Sequence, residues 1–165
     1  MNRALDSLIQ SLRDELQQYG EMLALLDHQQ EYVVTRAADD MMQPAAEIQA
    51  QTGVIENARK DREQRRRELA ESLLQAPGAE FAVLIPLLPE DYRPLVQALV
   101  EENNQLLYRI QQRARQNHVL LNRSVDLMKQ FMSALIPSLR PTVYNGAGAL
   151  HGAAMPARTL YEAVG

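Results

Sequence analysis

The chain has no cysteine and no tryptophan, only two phenylalanines, and 5% aromatic residues in all. Without cysteine there are no disulfides, no thiolate metal sites and no cysteine nucleophile. So few aromatics argue against a sheet protein, because strands favour aromatic and β-branched side chains. No apolar run approaches the roughly 20 residues that a membrane span needs. The opening stretch MNRALDSLIQSLRDELQQ also lacks the uninterrupted apolar core of a signal peptide. Positive charge is in deficit too: 17 Lys and Arg stand against 21 Asp and Glu, a net charge of −4. A general binder of nucleic acid or anionic membrane is usually basic, so neither is expected as a partner. These absences together point to a cytoplasmic protein.

What is present is the composition of long helices. Ala, Leu, Gln, Glu and Arg dominate, with 46% hydrophobic and 23% charged residues over 165 positions. That length fits one domain with a core of its own. Stepping by alternating four and three from the N-terminus meets Leu5, Ile9, Leu12, Leu16, Tyr19, Leu23, Leu26, Gln30, Val33 and Ala37. All but Gln30 are apolar, and the period is that of a coiled-coil seam. Leu8, Met22 and Leu25 widen the stripe, as suits a helix touching two neighbours. The pattern predicts one helix over residues 3–38, with Gly20 costing about 1 kcal/mol against Ala in its interior.

Asp39, Asp40 and Pro44 mark the next start, because Asp caps helices and proline is tolerated in a first turn. A second helix is expected over 43–75, apolar at its ends (Ile48, Ile55; Leu69, Leu73, Leu74) and charged in its middle, ARKDREQRRRE. Arg59, Lys60, Arg62, Arg65, Arg66 and Arg67 in that middle alternate with Asp61, Glu63 and Glu68 and have no aromatic companion for stacking on bases. A solvated helix face with i,i+4 ion pairs is expected there, with a contact to an acidic protein partner as the alternative. Pro77-Gly78 stops this helix. Residues 79–88 are expected to form a short helix across one bundle end, and a third long helix to run over 91–136 until Pro137 and Pro141.

The third helix carries two apolar seams. One reads Leu99, Leu106, Ile110, Leu120, Leu127, Phe131; the other reads Leu107, Ile110, Ala114, Leu121, Val125, Met128, Met132, Leu135, Leu139. An arc this wide must be covered by the chain's own bundle or by a partner. The expected fold is therefore all-α, three long antiparallel helices in a coiled-coil-like bundle over 1–139. Residues 140–165, broken by Pro141, Gly146, Gly148, Gly152 and Pro156, are expected to be a flexible tail.

The usual signatures of chemistry are missing. His28 and Glu31 stand at i,i+3, the reverse of the Glu-x-x-His order of di-iron bundles, without the further Glu residues. No nucleophile elbow frames any serine. Gly146 and Gly148 lack the strand before and the helix after that would make a phosphate loop. Neither an enzyme nor a cofactor is expected.

The order of elements resembles the FlgN family of flagellar export chaperones. The resemblance rests on the N-terminal stretch SLIQSLRDELQQYGEMLALLDHQQEYV, the Arg-rich second helix ending RRRELAESLL, and the stretch NHVLLNRSVDLMKQFMSALIP followed by TVYNGAGA, and it covers roughly residues 1–150. It implies a cytoplasmic chaperone that holds hook–filament junction subunits, shields their amphipathic ends from aggregation and early assembly, and helps bring them to the export gate or its ATPase. On that reading the cargo site is the double seam of the third helix: Leu120, Leu121, Val125, Leu127, Met128, Phe131, Met132 and Leu135. Tyr144 would be a separate anchor for the export gate. The alternatives are a structural coiled-coil spacer, which would form a tight oligomer or homodimer by itself, and a ferritin-type metal protein, which lacks its ligands.

Overall fold

The computed structural model describes residues 2–35 and 42–135, and every regular element among them is helical. The order is α1 (Asn2–Thr35), α2 (Met42–Ser72), α3 (Phe81–Leu84) and α4 (Arg93–Leu135), with single 3-10 turns at Ile85–Leu87 and Glu90–Tyr92. Helices therefore number four among the described residues; the short α3 is the piece expected across the bundle end. Residues 36–38 of the first expected helix, and the whole of 140–165, lie outside the described residues.

Helix directions follow from bonds between helices. The Gln51 amide of α2 donates to the Gln18 carbonyl of α1, and Arg62 pairs with Glu15, so α2 runs antiparallel to α1. Asn103 of α4 donates to the Leu12 carbonyl and Asn117 to the Leu26 carbonyl, both at a separation of 91 residues. The offset is the same at both levels, so α4 runs parallel to α1. The expectation of three antiparallel helices holds only for neighbours in chain order; the first and last must run the same way.

The core has two parts. At the base, Leu5, Leu8, Ile9 and Leu12 of α1 meet Leu69 of α2, Phe81, Leu88, and Val96 and Leu99 of α4. Higher up, Tyr19, Met22 and Leu26 meet Ile55 of α2 and Leu107 and Ile110 of α4. The most buried line of α1 is Leu5, Leu8, Leu12, Glu15, Tyr19, Met22 and Leu26, whereas Leu16, Leu23 and Gln30 of the expected seam are half-buried. Glu15 disguised this line, because a carboxylate at a core position reads as surface.

The ends are built from the expected punctuation. α2 stops in a paired-bond cap: Gln75 N–H reaches the Ala70 carbonyl and Leu74 N–H the Glu71 carbonyl. This arrangement places Leu74 in the left-handed region at φ 57°, a place that favours glycine. Buried Phe81 and Leu84 of α3 then plug the base. Arg93, beside Pro94 in the first turn of α4, donates to the Leu88 carbonyl and ties the plug to that helix.

The charged middle of α2 departs from expectation. Arg62 and Arg66 are 6% and 8% exposed and form part of the face turned to α1 and the base. Arg62 binds Glu15, itself fully buried, at 3.0 Å, and Arg66 donates to the Ala79 carbonyl and to Glu63. Lys60 is exposed, and Arg65 and Arg67 keep to the outside in ion pairs with Asp61, Glu68 and Glu63. Interhelical partners spaced far away in sequence decided which arginines turned inward, and local charge alternation does not show them.

Candidate partner-binding surface

α4 changes character at Asn117. Before it, Val96, Leu99, Asn103, Leu107 and Ile110 are buried. After it, no residue through Gln130 is buried. Leu120 and Leu121 are half-buried, while Val125, Leu127 and Met128 are 51%, 63% and 55% exposed. Phe131, Met132 and Leu135 continue the helix, but their side chains lie outside the described residues, as does Tyr144.

The described helices reach different levels. Gln51 opposite Gln18 sets the start of α2, Met42, near the level of Asp27. At the α1–α4 offset, Thr35 falls level with Asp126, and α4 continues to Leu135. Its apolar surface thus extends past the described parts of α2 and then of α1. The boundary is fixed by Asn117, 1% exposed, whose amide donates to the Leu26 carbonyl and to the Gln29 side chain. Arg113 just below pairs with Asp27 at 2.7 Å and also reaches Gln30.

Between α1 and α2 is an open depression of about 690 Å³ lined by Glu21, Ala24, Leu25, Asp27, His28, Glu31 and Gln51. His28 meets the Tyr32 ring edge-on at 4.6 Å between centroids. His28 and Glu31 thus border the same depression, yet no group of three His, Asp or Glu side chains among the described residues is placed to hold a metal ion.

A buried polar network around Glu15 serves the fold. The Tyr19 hydroxyl donates to Glu15 at 2.8 Å, and the other carboxylate oxygen receives Arg62. Burial first, then the neighbouring Glu15 charge, pushes the Tyr19 hydroxyl well above its ordinary range. Glu63 is held below its usual range chiefly by its bond from Arg66.

The FlgN protein family model matches residues 1–152. The chain belongs to the FlgN family. No curated protein and no solved structure matches it. Membership makes it a flagellar export chaperone in general terms, of a family of binding proteins rather than enzymes. Among the described residues of this FlgN-family chain, no helix is long and apolar enough to cross a membrane. Sequence reasoning found the described apolar residues of the exposed stripe and missed what delimits it. Asn103 and Asn117 stand two heptads apart on the buried seam, a spacing that could have marked them as interhelical rather than solvated.

Proposed function

We propose that the chain is a cytoplasmic type III export chaperone that receives the amphipathic helical ends of hook–filament junction proteins on the C-terminal half of α4. In this reading the three long helices act as a coiled-coil-like bundle domain over 1–139, and 140–165 is a flexible tail. The observation that carries it is the exposure of Val125, Leu127 and Met128 on a helix whose earlier heptads are buried. A partner helix that covers such side chains gains roughly 1.5–3 kcal/mol for each Leu- or Met-sized group fully buried. Segments that fold on binding suit such a surface. Delivery to the export gate or its ATPase is assigned to the tail, with Tyr144 as a single aromatic anchor.

The test is co-purification from the host with identification of the bound protein, repeated with Val125→Asp and Met132→Asp together. The double variant should keep its helicity and lose the junction protein. Undiminished binding by a folded double variant would contradict the assignment. Tyr144→Ala should bind cargo normally and impair export. A homodimer that shields the same stripe would appear as a concentration-independent doubling of mass in the free protein.

A further inference from the structure

Resting on the reading that α4 captures a cargo helix, we propose that Arg115 and Arg123 form a basic edge of that site and select a segment with carboxylates beside its apolar face. The sequence sets up the contrast. The chain as a whole carries a net charge of −4, yet from Asn103 through Val125 there is no Asp or Glu. The same stretch holds Arg109, Arg113, Arg115, Arg123 and His118, all on one continuous helix. Arg113 serves the fold, since it pairs with Asp27 and reaches Gln30 of α1. Arg115 and Arg123 differ. Both are exposed, and neither takes part in an ion pair or side-chain hydrogen bond among the described residues. Asp126, the next acid along α4, forms no ion pair with Arg123.

Residues four apart on a helix line up as a ridge. Arg115, Val119, Arg123 and Leu127 are such a ridge, and all four are exposed, Val119 by 48% and Leu127 by 63%. Cations and apolar side chains therefore alternate along about 18 Å of surface. Arg123 lies within one turn of both Leu120 and Leu127, so the ridge borders the exposed stripe. A helix seated on the stripe brings its flank over the two guanidinium groups, whose stems are rooted about 12 Å apart. Two carboxylates seven or eight residues apart on that helix, with an apolar residue between them, match the ridge. A guanidinium suits this role because its planar fork fits a carboxylate. A second copy of α4 on the same face would set arginine against arginine, because the stretch has no acid of its own. The fitting partner is an amphipathic helix with an acidic flank.

Charges at the rim of an interface act mainly on the rate of encounter. The test is stopped-flow association with the junction protein identified by co-purification. The rate for the unaltered chain should fall severalfold as salt rises from about 0.05 M to about 0.5 M. Arg115→Gln with Arg123→Gln should slow association about fivefold or more at low salt, flatten its salt dependence and leave dissociation within about twofold. Arg115→Lys with Arg123→Lys should keep most of the rate. Arg13→Gln with Lys60→Gln removes two exposed cations from α1 and α2 and should change the rate by less than about twofold. An equal loss in that control assigns the effect to net charge and overturns the basic edge. Association indifferent to salt, or to the Gln pair at Arg115 and Arg123, overturns it too. Met128→Asp tests the underlying reading separately: loss of binding there, beside an unaffected Gln pair, rejects the edge alone. Undiminished binding in both rejects capture by α4 as well.

Discussion

The base of the bundle and its far end are made of the same residue types and do opposite things. At the base, helix ends coincide: α1 starts, α2 stops, α3 turns across, and α4 begins, and each of Leu5, Leu8, Leu12, Leu69, Leu84, Leu88 and Val96 is at most 2% exposed. At the far end the described helices reach different levels, and Val125, Leu127 and Met128 are exposed. The far end of the two α4 seams is left with unmet capacity to pack. One end specifies the fold, and the other retains surface for a partner.

The largest effect expected lies just above the base. Arg62→Ala leaves the fully buried Glu15 carboxylate without its cation, and loss of one partner of such a pair costs about 3–5 kcal/mol. Glu15→Leu with Arg62→Met, a size-matched apolar pair, should recover most of it in urea unfolding. Failure to recover would mean the charges are needed for more than mutual compensation.

The comparison of ends is then tested directly. Leu8→Ala or Leu88→Ala should cost about 2–5 kcal/mol, because the plugged base cannot collapse around the cavity. Leu127→Ala should change stability by less than about 0.5 kcal/mol, as exposed sites do. Equal losses at both ends would remove the distinction drawn here. Within α2, Arg66→Gln should lower the melting temperature measurably, because it removes the bonds to the Ala79 carbonyl and Glu63. Arg65→Gln and Arg67→Gln should leave the melting temperature nearly unchanged.

One expected effect is a gain. Leu74 is 93% exposed and held at φ 57°, where a side chain clashes with its own backbone. Leu74→Gly should stabilise the base by about 1 kcal/mol, read as a rise in melting temperature. A fall would show that the Leu74 side chain contributes a contact that outweighs the strain.

Much of this was legible in the sequence, and the exceptions share a cause. Pro44, Pro77-Gly78 and Pro94 placed the breaks to within a few residues, because local stereochemistry decides where helices stop. The two seams of α4 were visible as periodicity, and Leu121, Val125 and Met128 followed one of them. Glu15, Arg62, Arg66, Asn103 and Asn117 were not recognisable as interior, since each takes a partner 13 or more residues away. The exposure of the stripe also escaped pattern reading: periodicity shows that a face is apolar, while only the levels at which α1 and α2 end show that it lacks cover.

Amide hydrogen exchange on the free protein and on its complex with the junction protein tests the central claim most directly. In the free protein, amides of α4 from Val96 to Ile110 should exchange slowly and those beyond Asn117 quickly. Addition of the partner should slow exchange from Leu121 to Leu135 and at the last turns of α1, with the base unchanged. Unaltered exchange beyond Asn117 in a saturated complex, with new protection elsewhere on the bundle, would contradict the account.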